Sequence, residues 1–350
     1  MAAETDIHVP ESRSFFVRRV TAVRDFELFF VSSVATILLV RAILAATGWP
    51  QLGGGKIHFA HLMWGGVGML IAFVLFMAMQ GRLWNQLATL SAGIGFGLFI
   101  DELGKFITSD NDYFFQPTIA IIYVIFVVLF FLFRWLGNVE NISPQSALVN
   151  AFDISKEAVL RDMDSSEKEE ALWLLRRADP ASPIALALRE MLEGMEPAKK
   201  ASPNPLLRAK QALRRVYGGL IRRRWFKRVV FSWFVGTSLI ALLAPFVGDT
   251  SPSELTFAQT GGLISGVLTG AFVALGIVNW RRSKLRAFGW FERGALVSIL
   301  VGEFFSFYQS QVLAVFGLLW LLLTLGVIRS MISAEMPRAA TADQTPQAGG

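Results

Sequence analysis

Stretches of about twenty apolar residues recur along this chain, separated by short polar or charged segments, and their spacing decides its class. They fall at 27–47, 59–79, 87–108, 113–136, 229–247, 257–280, 288–308 and 312–332. Each is close to the roughly 20 residues that an α-helix needs to cross the hydrocarbon of a bilayer. No ten-residue alternating pattern of the β-barrel type occurs, and a backbone in lipid must satisfy its own hydrogen bonds, so the runs predict helices. The expected fold class is all-α: a polytopic integral membrane protein with about eight transmembrane helices.

The apolar pattern stops between 138 and 227. In "DSSEKEEALWLLRRAD" Ser166 stands three residues before Glu169, the spacing of a capping box ahead of Leu172, Trp173 and Leu175. "ASPIALALREMLEG" follows, with Pro183 near a helix start and Gly194 at its end. Residues 145–194 therefore predict two or three short amphipathic helices. The segment "LLRAKQALRRVYGGLIRRRWFKR" then carries no acidic residue. The domain reading is a cytoplasmic tail at 1–26, transmembrane helices 1–4 over 27–137, and a helical cytoplasmic insert with a basic juxtamembrane segment over 138–227. Transmembrane helices 5–8 occupy 228–332, and a disordered tail rich in Ala, Thr, Gln, Pro and Gly closes the chain at 333–350.

Charge gives the spans a direction. Arg13, Arg18, Arg19 and Arg24 precede the first run, whose apolar core is longer than that of a cleaved signal peptide, so it reads as a retained span. Arg82 lies between spans two and three, the basic insert follows span four, and "NWRRSKLR" joins spans six and seven. The alternate loops, "GWPQLGGGK", "SDND", "GDTSPSE" and "YQSQ", are almost without positive charge. Lys and Arg mark the cytoplasmic side, so both termini are expected there. Short loops and an uncleaved first span point to a bacterial plasma membrane. The net charge of +6 is spent on topology rather than on nucleic acid, which is not an expected partner. The expected partners are the bilayer, anionic headgroups along 206–228, and a cytosolic protein at 145–196. With 0 cysteines, disulfides, thiolate metal sites and a cysteine nucleophile are excluded.

Against this background a few ionisable residues stand out. "GIGFGLFIDELGKFIT" (93–108) places Asp101, Glu102 and Lys105 in an apolar run, Glu303 lies about one turn before the exit of span seven, and Arg41 lies late in span one. With the expected orientation all fall in the outer half of the bilayer, where charge is costly and faces a protein interior or a wet cavity. Asp101 and Lys105 are one turn apart and can pair; Arg41 is a candidate partner for Glu102 or Glu303. Asp110 and Asp112 cap the same face. His58 and His61 share one helix face at the outer end of span two, a spacing that suits two imidazole ligands for a divalent metal, with Glu102, Asp101 or Glu303 completing the shell.

An offset of 201 residues pairs Glu102 with Glu303, Gly93 with Gly294, Gly65 with Gly266, and Phe30, Val34, Thr36 and Leu38 with Phe231, Val235, Thr237 and Leu239. The pattern admits a 4+4 parallel repeat about an axis along the membrane normal. Gly262, Gly266 and Gly270, and Gly93 with Gly97, recur every four residues and read as close helix packing rather than a phosphate loop.

"DELGK" resembles the EExxK motif of the PrsW-type intramembrane proteases, with Asp101, Glu102 and Lys105 at the three motif positions. The resemblance covers five residues. Ile299 stands where that family's FxxxE motif has Phe, and no histidine follows residue 61, so its HxxxD motif is absent. What it implies is water activation by Glu102 as general base. Three functions follow from these residues. The first is a transporter or ion-translocating protein using Glu102 and Glu303, with Asp101, Lys105 and Arg41 as charge partners. The second is a membrane-embedded, metal-dependent hydrolase using His58, His61 and Glu102. The third is a scaffold or sensor acting through the insert. No catalytic residue is assigned.

Overall fold

The computed structural model describes residues 17–48, 61–109, 115–137, 142–196, 205–247 and 255–343, and within these only helices and turns occur. His58, Asp110 and Asp112 lie outside the described residues. In chain order, α1 spans Ala22–Thr47, α2 His61–Ala78 and α3 Arg82–Asp101, followed after Glu102 by the short α4, Leu103–Ile107. Helix α5 covers Thr118–Gly137. Then come α6 (Pro144–Val159), α7 (Ser165–Leu175) and α8 (Pro183–Glu193). Helix α9 is Pro205–Arg222, α10 Arg224–Val247 and α11 Phe257–Asn279. Helix α12, Lys284–Val297, passes through a π-helical turn at Ser298–Gly302 into α13, Glu303–Ser310. A 3₁₀ turn at Gln311–Leu313 leads to α14, Ala314–Asp343.

Among the described residues seven helical stretches are long and apolar enough to cross a membrane, which makes the chain a multi-pass helical membrane protein. The last of them runs 52 residues, Lys284–Glu335. Straight, it would reach roughly 78 Å, far beyond a hydrocarbon core about 30 Å thick. It is not straight. Gln311 takes φ 46° and ψ −124°, outside helical space, and the chain reverses there. Phe288, Phe291 and Ala295 of α12 pack with Leu325 and Ile328 midway along α14, so the two halves form an antiparallel hairpin.

The chain divides into two compact units, Met1–Asp101 with Val128–Pro203, and Glu102–Val127 with Asn204–Gly350. In the first, α3 is the central helix and packs on both α1 and α2. Its glycines make this possible: a methyl on Gly97 would stand 2.6 Å from Ser33 O on α1, and one on Gly95 2.7 Å from Gly65 O on α2. Ser32, Ser33 and Thr36 turn their hydroxyls onto carbonyls of their own helix, so small polar side chains line the contact without leaving donors unmet.

The first unit also contains the insert. Helices α6, α7 and α8 enclose Ala147, Ala151, Ile154, Met163, Leu174, Leu188 and Leu192. Ser143 and Ser182 cap α6 and α8, each ahead of a proline in the first turn. For α7 the cap differs from expectation. The capping box is Asp164 with Glu167, not Ser166 with Glu169, because the helix starts at Ser165 and Asp164 accepts from the N–H groups of Ser166 and Glu167. Polar contacts hold this bundle to the ends of α1 and α3. Asn150 accepts from Val20 N and donates to Arg18 O, both at 2.8 Å, Arg24 meets Glu170 at 2.9 Å, and Arg82 Nη1 meets Glu167 at 2.7 Å and Asp164 at 3.3 Å.

In the second unit the order of packing changes: α11 is central, against α10 and α12, and α14 closes on α12. Gly270 brings α11 onto α10, where an added methyl would lie 2.7 Å from Ser238 O. Gly262 has open space instead. The offset pair Gly93 and Gly294 sit in unlike surroundings, Gly93 against Phe29 and Ser32 of α1, Gly294 against Thr269, Phe272 and Val273 of α11.

Candidate functional site

Small polar residues at helical spacing build the candidate site within the second unit. On α11, Ser265 and Thr269 are one turn apart, and on the α12–α13 helix Ser298, Gly302 and Ser306 follow at the same interval. They face one cavity of about 330 Å³, with Thr237 and Ser238 contributed by α10 and Gln309 by α13. Phe234, Phe305 and Leu321 supply its apolar walls, and Gly262 adds none. Glu303 is the ionisable residue among those lining it.

The local backbone places Glu303 there. The Glu303 N–H bonds back five residues to Ser298 O, so the carbonyl of Ile299, its ordinary partner four residues back, is left to others. Ile299 O accepts a hydrogen bond from the hydroxyl of Tyr123 on α5. The Tyr123 ring stacks on Phe307 at 4.8 Å between centroids. Helix α5 thus braces the one turn of α12–α13 that departs from α geometry. Such π turns recur at functional sites.

Glu303 is 4% exposed and its Oε2 meets no hydrogen-bond partner among the described residues. Behind it, the backbone of Gly317 on α14 approaches so closely that an added methyl would lie 3.0 Å from Oε1. A buried carboxylate without a partner is strongly disfavoured, so this group either holds a proton or awaits a cation. The nearby hydroxyls make weak local bonds: Thr269 and Ser298 share one at 2.9 Å, Thr237 donates to Trp233 O at 2.9 Å, and Ser306 to Gly302 O at 3.3 Å.

The other candidate residues fall into two groups. In the first unit Asp101, fully buried, takes Arg41 Nε on Oδ1 and lies 3.2 Å from His61 Nε2 through Oδ2. Arg41 Nη2 also donates to the Asp101 carbonyl at 3.4 Å. In the second unit Lys105 Nζ lies 3.2 Å from Glu102 Oε1. The helix breaks at Glu102 (φ −88°, ψ 10°), between α3 and α4, so span three is not the continuous helix expected over 87–108. Within the second unit, neither Glu102 nor Lys105 is among the described residues that line the Glu303 cavity.

For the metal expectation, His58 lies outside the described residues, and among the described residues no three His, Asp or Glu side chains come together to hold an ion. His61 and Asp101 do meet, but a guanidinium already occupies one oxygen of that carboxylate.

Sequence reasoning singled out Glu303 and missed its surroundings: Tyr123, Ser265, Thr269, Ser298, Ser306 and Gln309. The readable signal was the spacing of small residues, four apart on two spans, with a glutamate beside one of them. It is easily lost because Ser and Thr also serve as ordinary packing residues between membrane helices.

The chain matches no protein-family model, no curated protein sequence and no solved structure.

Proposed function

We propose that this multi-pass protein is a transporter or ion-translocating protein in which Glu303 binds and releases the translocated species. One observation carries the reading: a buried carboxyl, with one oxygen unmet among the described residues, lines an open, hydroxyl-rich cleft between helices. Ionisable groups at such positions commonly mark ion and substrate paths. The π turn that carries Glu303 adds to this, since such turns recur at functional sites. The Arg41–Asp101–His61 and Glu102–Lys105 groups act as fixed charge partners in this scheme rather than as a metal centre.

The reading takes the hairpin at Gln311 as two spans, giving eight in all, with both termini on the cytoplasmic side of a bacterial plasma membrane, as the Lys/Arg pattern indicates. The segment 138–227 is then the cytoplasmic insert, with 1–26 and 333–350 as tails and 206–228 along anionic headgroups. A 4+4 repeat draws no support from the packing, since α3 is central in one unit and α11, not α12, in the other.

Flux in liposomes tests this function. Purified protein under an imposed pH gradient should pass protons or exchange them for a solute, and Glu303→Gln should reduce that flux by about tenfold or more. Equal flux in wild type and Glu303→Gln, or none under any gradient, rejects it.

A second reading, a scaffold working through the insert, draws on exposed apolar side chains there, among them Phe152 at 50% and Val159 at 80% exposure. Loss of function on deleting 145–196, with Glu303→Gln silent, would favour it.

A further inference from the structure

The cavity beside Glu303 discriminates by the direction of its hydrogen bonds. Thr237 and Ser306 donate their hydroxyl protons to carbonyls of their own helices, which leaves their oxygen lone pairs for anything in the cavity. Thr269 and Ser298 share one hydrogen bond, in which either hydroxyl can donate. Glu303 Oε2 is an unmet acceptor, and no cationic residue lines the space. The hydroxyls of Ser238 and Ser265 and the amide of Gln309 can donate or accept, so Glu303 sets the character of the lining, which is negative, disfavours an anion and favours a positively charged donor.

Size and donor count narrow the class. A divalent cation seeks six to eight oxygens, several of them from carboxylates, and only one carboxylate is present. A bare monovalent ion leaves most of about 330 Å³ unfilled. That volume lies at the lower end of the range that holds small organic ligands. Phe234 and Phe305 supply the aromatic surface that an alkyl chain or an ammonium prefers.

We propose that this cavity binds a small organic ammonium carrying at least one N–H, its charge met by Glu303 and its N–H groups by the hydroxyl oxygens of Ser265, Thr269 and Ser298. The assignment rests on the transport reading above and deepens it, since it names the class of solute.

The test uses the full-length protein in lipid nanodiscs, titrated with n-butylammonium, tetramethylammonium, n-butanol and sodium chloride. Saturable binding of n-butylammonium is expected, with n-butanol and sodium each weaker by about tenfold or more. Tetramethylammonium, which has the charge but no N–H, should also bind more weakly. Glu303→Gln should lower n-butylammonium affinity by about tenfold, while Glu303→Asp keeps part of it. Should Glu303→Gln fail to fold, Ser265→Ala/Thr269→Val keeps the charge and removes two acceptors, and a several-fold loss is expected. Equal binding of n-butylammonium and n-butanol, of the two ammonium ions, or of wild type and both sets of variants overturns the assignment. Glu303-dependent proton flux without n-butylammonium binding overturns the solute class and leaves transport standing. Glu303-dependent ammonium binding without any flux upholds the class and removes transport.

Discussion

Gly317 of α14 lies directly against Glu303 of α13, close enough that a methyl group on Gly317 would stand 3.0 Å from Glu303 Oε1. The carboxyl therefore rests on a bare stretch of backbone, and its position depends on the absence of a side chain there. Gly317→Ala should move the carboxyl by a few tenths of an ångström. The helix-propensity gain of up to about 1 kcal/mol offsets part of an overpacking cost of about 1–3 kcal/mol, so the melting temperature should change little. Flux and n-butylammonium affinity should nevertheless fall several-fold. Thermal melts beside a binding titration separate the two effects, and unchanged affinity would show that the contact does not position Glu303.

Tyr123 acts on the turn that carries the same carboxyl. Its hydroxyl serves the Ile299 carbonyl within the π turn, and Tyr123→Phe leaves that buried acceptor short of a partner at a cost of about 1–3 kcal/mol. Because the ring and its stack on Phe307 persist, the variant should fold. Its melting temperature should drop by a few degrees, and flux should fall more than in a control such as Phe316→Leu on the exposed face of α14. Equal losses in the two variants would reduce Tyr123 to a packing residue.

The helical class of the chain was legible because the bilayer imposes one length on every crossing helix, and runs such as 27–47 or 257–280 display it without help from tertiary contacts. Two features were not. The break at Glu102 and the π turn before Glu303 leave no mark on composition, since "FIDELGK" and "SILVGEF" read as continuous helix; only the partners of Asp101 and Ile299 explain them. Glu303 itself was legible as a charge in an apolar run. Its neighbours were not, because Ser265 and Ser298 are far apart in sequence and each, taken alone, resembles a packing serine. The offset of 201 residues paired similar sequences, yet Gly93 and Gly294 meet different helices, which periodicity cannot reveal.

Arg41 and Asp101 form a buried pair whose members should be worth more together than apart. Arg41 is 6% exposed and Asp101 0%. Removing one partner strands the other charge at a cost of about 3–5 kcal/mol, whereas replacing both with apolar residues of similar volume costs much less. Arg41→Met and Asp101→Leu should each lower the melting temperature sharply in detergent micelles, and the double variant should recover a large part of the loss. A double variant as unstable as the sum of the singles would mean that the two side chains do not act as a pair.

The insert should respond to pH in opposite ways at two carboxylates near Arg82. For Glu157, burial and then the charge of Glu167 raise the pKa above its ordinary value, with a backbone hydrogen bond from Arg82 offsetting part. The folded insert thus binds this proton more tightly than the unfolded one, and the ionised form is a penalty at neutral pH that is relieved as pH falls through the raised value. For Asp164, burial pushes the pKa up, but hydrogen bonds from Ser166, from the N–H groups of Glu167 and Ser166, and from Arg82 outweigh it and leave it below the ordinary value. Its contribution is present above the unfolded-state value and is lost as pH falls through the lowered one. Amide exchange across 144–196 in the intact protein, compared with wild type at each pH, reads both. At neutral pH Glu157→Gln should slow exchange and Asp164→Asn should quicken it, and both differences should shrink in acid. The same sign for the two variants at neutral pH would contradict the opposed shifts and place the control of this bundle elsewhere than at its Arg82 contacts.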